Sequence, residues 1–164
     1  MNDFSMAGWA GFLSANAQAA AALAGLIFVA LSINLSRIVS MPGLPGRAAE
    51  SLIMLIGVLV ICSIGLVPDI SAQAAGLSFA FGGGVMWLLP TAIQVLSIRH
   101  RIPQPAGSFA ARIVMTQLAT LPFVISGVLL TTSGGGLDWL APGAVFCFIA
   151  SAINAWVLLV EIVR

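Results

Sequence analysis

Ser151-Ala152-Ile153-Asn154 lies deep inside a long apolar run, residues 143–163. About 20 apolar residues are what a helix needs to cross a bilayer. An amide side chain at such a place is costly unless it finds a hydrogen-bond partner. The same text stands sixty residues upstream as Thr91-Ala92-Ile93-Gln94, and a shorter echo, Ile33-Asn34, stands sixty residues before that. The reading that follows is a membrane protein that is polar at chosen interior places.

Composition supports it. The chain has 164 residues, of which 60% are hydrophobic and 7% charged, against about 25% charged in soluble domains. A globule of this size in water could not cover so much apolar surface. A net charge of +1 gives no basic field for nucleic acid. Four further stretches resemble the first in length and hydropathy, so spans are expected at about 10–36, 49–68, 76–98, 111–132 and 143–163. The fold class is an all-α integral membrane protein, a five-transmembrane-helix bundle forming a single domain over residues 1–164. The loops are short and rich in Pro and Gly: Met41-Pro42-Gly43-Leu44-Pro45-Gly46, Val67-Pro68-Asp69, Ile102-Pro103-Gln104-Pro105 and Ser133-Gly134-Gly135-Gly136.

Charge placement orients the spans. Five alternating crossings put Arg37, Arg47, Arg99, Arg101, Arg112 and Arg164 on one face, and Asp3, Asp69 and Asp138 on the other. Cytoplasmic loops carry the excess of basic residues, so the N-terminus is expected outside and the C-terminus in the cytoplasm of a cell (inner) membrane. Glu50 and Glu161 fall near the cytoplasmic helix ends. With Arg37, Arg47 and Arg112 they are expected to form a cytoplasmic rim, either of interfacial ion pairs with snorkelling Arg or acting as a gate or partner dock.

An offset of sixty residues also aligns Gly76-Leu77 with Gly136-Leu137, Val85 with Val145 and Ala92-Ile93 with Ala152-Ile153. Helices 2–3 and 4–5 therefore read as a duplicated hairpin in one orientation, related by an axis along the membrane normal. Pro90 lies nine residues before Arg99, Pro122 ten after Arg112, and Asn154 ten before Arg164. At 1.5 Å per residue all three sit about 13–15 Å from the Arg layer. Two helix kinks and an amide at one depth suggest a shared polar spot, to which Asn34, Thr91, Gln94, Thr120 and Ser151 also belong as pathway or polar-core candidates. The same groups could simply join helices.

Small residues recur every fourth position, as Gly143, Cys147, Ser151 and Ala155 in the last span and as Ala17, Ala21 and Gly25 in the first, with Asn16, Ala20 and Ala24 beside them. Such stripes let backbones approach, within the chain or between copies, so a homo-oligomer is expected. Trp9 and Trp139 are expected at the outer boundary, and Trp87 and Trp156 inside the bundle. Gly82-Gly83-Gly84 reads as a tight-packing face or a local break.

Chemistry is sparse. Cys62 and Cys147 read as small buried hydrophobes, with no C-x-x-C and no metal spacing. The lone His100 has no Cys or carboxylate cluster and cannot complete a Ser-His-Asp set. No metal, no cofactor and no enzymatic activity are expected. Carboxylates are absent from mid-span, which argues against a proton relay.

Ala24-Gly25-Leu26-Ile27-Phe28-Val29-Ala30-Leu31-Ser32-Ile33-Asn34-Leu35 and Pro42-Gly43-Leu44-Pro45-Gly46-Arg47-Ala48-Ala49-Glu50 resemble text in small uncharacterised bacterial multi-pass membrane proteins, some labelled modulators of a membrane protease. The likeness covers about the first 70 residues and implies no site.

Two functions fit. One is a homo-oligomeric channel or transporter for a small ion or neutral solute through an uncharged polar pathway. The other is an accessory or scaffold subunit, or a modulator of another membrane complex, docking by its rim. The partners are then the lipid bilayer, further copies of the chain, or another membrane protein. The topology is directly testable: a reporter that fluoresces only in the cytoplasm should be bright fused after Arg164 and dark fused before Met1.

Overall fold

The computed structural model describes residues 6–100 and 106–163, without the side chains of residues 7, 106, 108 and 161–163. Asn2, Asp3, Ser5, Arg101, the Ile102–Pro105 loop, Arg164 and the side chain of Glu161 lie outside the described residues.

A 3-10 turn, Met6–Trp9, leads into α1, Ala10–Ile33. There the helix pauses rather than running to residue 36. Asn34 leaves helical geometry and its Nδ2 donates to the Ala30 carbonyl at 3.0 Å, the local side-chain bond by which Asn competes with a helix ladder. A short α2, Leu35–Ser40, follows. Ile38 on α2 packs with Leu44, Ala48 and Leu158.

The next helix, α3, covers Leu44–Gly65 and starts five residues earlier than its apolar run. Gly43, at φ 89°, makes the turn, and Pro45 stands in the first helical turn, where its missing N–H costs nothing. The stretch Leu44-Pro45-Gly46, expected as loop, is therefore helix. α4 spans Ala72–Arg99, opened by Ser71, whose Oγ accepts from the Ala74 N–H. α5 spans Ala106–Ser133. A turn with Gly134 and Gly136 at positive φ and a 3-10 turn, Leu137–Trp139, lead into α6, Leu140–Val163. Helices α1, α3, α4, α5 and α6 are each long and apolar enough to cross a membrane. The chain is a helical multi-pass membrane protein, and the described residues contain no strand.

The packing is a ring. α3 touches α4, α4 touches α5, α5 touches α6, and α6 returns to α3. α1 stands outside the ring against α3, burying only a thin stripe of Leu13, Ala17 and Ala20. α4 and α5 make the most extensive contact, and glycine is the reason. A Cβ on Gly127 would overlap the backbone of Ala80, and one on Gly83 would stand 2.8 Å from the Val124 nitrogen. Within Gly82-Gly83-Gly84, which lies in an unbroken helix, Gly83 is the close contact with α5 and Gly82 faces Ile61 of α3, while a Cβ on Gly84 would meet nothing within 4 Å. α3 in turn clears α4 at Gly57, over which Met86 lies.

Away from its Arg-bearing end the ring is filled by Met54, Val58, Ile61, Phe79, Phe123 and Leu130, all buried. Of the two small-residue stripes, Gly143, Cys147 and Ser151 on α6 are consumed inside the chain. On α1, Ala21 is exposed, and a Cβ on Gly25 would meet nothing within 4 Å.

Backbone contact at Gly127 cannot yield, so Gly127→Ala should cost on the order of 1–3 kcal/mol. Gly25→Ala should be neutral or mildly stabilising, by up to about 1 kcal/mol. Thermal unfolding in mild detergent, followed by circular dichroism, distinguishes the two.

Candidate functional site

The ring leaves α3 and α5 on one diagonal and α4 and α6 on the other, and near the Arg-bearing end α3, α4 and α5 each send a polar side chain to the middle. Glu50 lies six residues past Leu44 on α3, and Arg112 six past Ala106 on α5. Both therefore sit about 9 Å inside their helices and meet across the diagonal. Arg112 Nη2 donates to Glu50 Oε1 at 2.7 Å, and Nε donates to Oε2 at 2.8 Å. The fork geometry matches a carboxylate with both bonds satisfied. The two side chains, Arg112 and Glu50, are 4% and 0% exposed.

The structure corrects the expectation of a rim. Glu50 and Arg112 do not snorkel to an interface; they close on each other in the interior. The spans as read from hydropathy begin at 49 and 111, which set both residues at a helix edge. The true helices begin at Leu44 and Ala106, one and a half turns earlier, and carry both inward. Of the remaining rim, Arg37 is exposed on α2. Arg47 is half-buried on α3, and its charge acts on Glu50. The Glu161 side chain lies outside the described residues.

The other diagonal supplies neutral groups. Gln94 on α4 is buried, interacts with the Glu50 carboxylate and donates through Nε2 to Thr116 Oγ1 at 2.8 Å. Thr116 donates to the Arg112 carbonyl, and Thr120 to the Thr116 carbonyl, so a hydroxyl ladder runs inward along α5. Ser151 on α6 donates to the Ser51 carbonyl on α3 at 3.4 Å, and Asn154 is buried one turn further. The candidates Gln94, Thr120, Ser151 and Asn154 are thus interior residues of the ring, and the Glu–Arg pair shares their site.

Asn34 does not join them: its amide serves its own helix at the α1–α2 junction. Thr91 has its hydroxyl buried with no hydrogen-bond partner. Pro90 and Pro122 are both buried inside continuous helices. Trp87 packs as expected and donates to Gln117 Oε1 at 2.6 Å. Trp156 does not; it is 67% exposed. It stands two residues from Asn154 and from Leu158, both buried, and so on the opposite face of α6.

Thr116 and Ser51 join the site without having stood out in the sequence. Thr116 had one available signal, since it lies four residues after Arg112 and four before Thr120 and shares their face.

The arrangement defines a class: a four-helix membrane ring with a charged and amide-lined polar centre at one end and an apolar plug beyond it, flanked by a fifth span. Neither a protein-family model, nor a curated protein, nor a solved structure matches the chain.

Removing one partner of a buried ion pair strands the other. Arg112→Met should cost about 3–5 kcal/mol, while Glu50→Leu with Arg112→Met should recover most of it. Unfolding midpoints of the two singles and the double, compared as a cycle, check this; additive losses would mean that the pair is not coupled.

Proposed function

We propose that the chain is a small multi-pass transport protein for a small ion or neutral solute, with the centre of the ring as its binding spot. The carrying observation is the convergence of Glu50, Arg112 and Gln94 from α3, α5 and α4 on one buried place, with Ser151 of α6 bonded to the carbonyl of the adjoining Ser51. Apolar side chains of similar volume would hold the helices together as well or better. Ionisable groups within spanning segments mark functional sites by default. In this reading the ion pair is the gate at the Arg-bearing end, and Phe79 and Phe123 are the apolar block beyond it, so the structure is the closed state. The Arg-bearing end is cytoplasmic in an inner-membrane orientation, supported by the basic residues gathered there.

Two finer features belong to the same reading. Helices α3–α4 and α5–α6 are a duplicated hairpin, a view supported by the ring, in which Gln94 and the Ser151–Asn154 pair occupy opposite corners. The open Ala21 and Gly25 on α1 support association with further copies.

A second reading, an accessory subunit or modulator of another membrane complex, is favoured by a different observation. Gln94 bonds to Thr116 across α4 and α5, and Ser151 to the Ser51 carbonyl across α6 and α3, as residues joining helices do.

Proteoliposomes challenged with potassium, sodium, urea and glycerol gradients separate the two. Transport predicts flux of at least one solute, reduced about tenfold or more when Gln94 and Asn154 are both replaced by Leu, the effect of losing one ~1.4 kcal/mol interaction. Flux that the double substitution leaves unchanged contradicts the pathway. A stoichiometric foreign subunit retained in mild detergent favours the accessory reading.

A further inference from the structure

We propose that the face between α3 and α4 binds one phospholipid with a primary ammonium headgroup, of the phosphatidylethanolamine kind. One acyl chain lies in the groove between the two helices, and the ammonium meets Asp69 in the turn that joins them. The inference rests on the membrane-embedded bundle alone and holds with or without transport.

The groove is apolar and one leaflet deep. It runs from Ile53 to Ile64 on α3 and from Leu89 to Ser78 on α4, eleven steps of helix on each wall. That is about 16 Å of helix, and half of a hydrocarbon core ~30 Å thick is about 15 Å. Ile64 precedes Gly65, the last residue of α3, so the groove lies in the half of the bundle away from the Arg-bearing end and stops near mid-membrane. Its floor is Gly57, Ile61, Gly82 and Met86, set in register by Met86 over Gly57 and Ile61 against Gly82. Val60 and Val85 stand exposed on either wall. Among the described lining side chains only Ser78, at the mouth, is polar, and its hydroxyl donates to the Ala74 carbonyl. The space is about 460 Å³. A helix of that length, about 10 Å across, takes up on the order of 1,200 Å³, so the groove admits an acyl chain rather than a helix.

The polar end matches. Asp69 stands in the α3–α4 turn, exposed, with no hydrogen-bond or ion-pair partner among the described residues. The described Arg residues are all at the opposite end of the bundle, so no described cation competes for it. A cavity of about 450 Å³ opens beside Asp69, lined also by Met6, Ala10, Leu66 and Pro68. Ile64 lines the groove and Gly65, the next residue, lines the cavity, so the places for chain and headgroup adjoin. A primary ammonium brings a carboxylate both charge and N–H donors, whereas a quaternary one brings charge alone. α4 begins at Ala72 in the same turn, and the partial positive charge of its N-terminus suits the lipid phosphate.

Native mass spectrometry of the full-length protein in mild detergent, titrated with dioleoyl phosphatidylethanolamine, phosphatidylcholine or phosphatidylglycerol, measures the preference. The expected result is one firmly held phosphatidylethanolamine per chain, bound about threefold more tightly than either other lipid, as befits one exposed ion pair. Asp69 has φ 53°, a left-handed conformation that Asn also adopts, so Asp69→Asn keeps the turn and should make the three lipids bind alike. Photocrosslinking then locates the chain, in vesicles of phosphatidylethanolamine and phosphatidylglycerol with a phosphatidylethanolamine that carries a diazirine at its chain end. Adducts should concentrate at residues 53–57 and 86–89. Val60→Trp fills the groove from an exposed position and should abolish them; Val85→Trp does the same from the other wall should the first variant not fold. Adducts spread evenly over the lipid-facing side chains mark annular lipid only and overturn the proposal. So does a preference that Asp69→Asn leaves unchanged. A dimer that excludes lipid and is dissolved by Val60→Trp gives the groove to a second copy and overturns it as well.

Discussion

A carboxylate and a guanidinium bonded through two atoms each, both almost wholly buried, set the terms for the rest of this molecule. In a medium of low dielectric such a pair is strong while closed and expensive when broken. It joins α3 to α5, which lie diagonally across the ring rather than in backbone contact. The pair therefore fixes the relative depth of two helices that their neighbours would only hold sideways. Glu50 and Arg112 stand equally far from their helix starts, so this depth is also the one that levels the two helix ends. Gln94 and Thr116 complete the arrangement by occupying polar valences at the same point.

The ring can close around that centre because its walls approach unequally. Gly83 and Gly127 bring α4 and α5 nearly into backbone contact, which narrows the far part of the ring until aromatic and branched side chains fill it. At the Arg-bearing end the helices hold larger polar side chains between them. One molecule thus has two kinds of interior: a dry plug with Phe79 and Phe123, and a hydrogen-bonded centre with Glu50, Gln94, Arg112 and Ser151.

Much of this is legible in the text of the chain. Hydropathy marks five spans, because lipid demands about 20 apolar residues per crossing and little else resembles that pattern. Gln94, Thr120, Ser151 and Asn154 stand out as interior groups because an amide or hydroxyl in a greasy run must turn inward. Helix ends are less visible. Pro45 and Gly46 look like loop, yet Pro at the first turn starts a helix, and a start placed too late turns a buried pair into an apparent rim. The partnership of Glu50 with Arg112 spans 62 residues. No local pattern carries it; it appears only when both helices are extended to their true beginnings and set side by side. Trp156 escapes for a simpler reason: depth along a helix says nothing about which face a residue occupies.

The central claim is that Glu50 and Arg112 touch inside the lipid-embedded bundle. Solid-state NMR on the protein in bilayers, with carbon-13 in the Glu50 carboxyl and nitrogen-15 in the Arg112 guanidinium, measures this through their dipolar coupling. The account predicts strong coupling, consistent with the 2.7 Å Nη2–Oε1 contact, at neutral pH and without exchange against deuterated buffer. Absent coupling, or a guanidinium that exchanges freely with water at neutral pH, would contradict it.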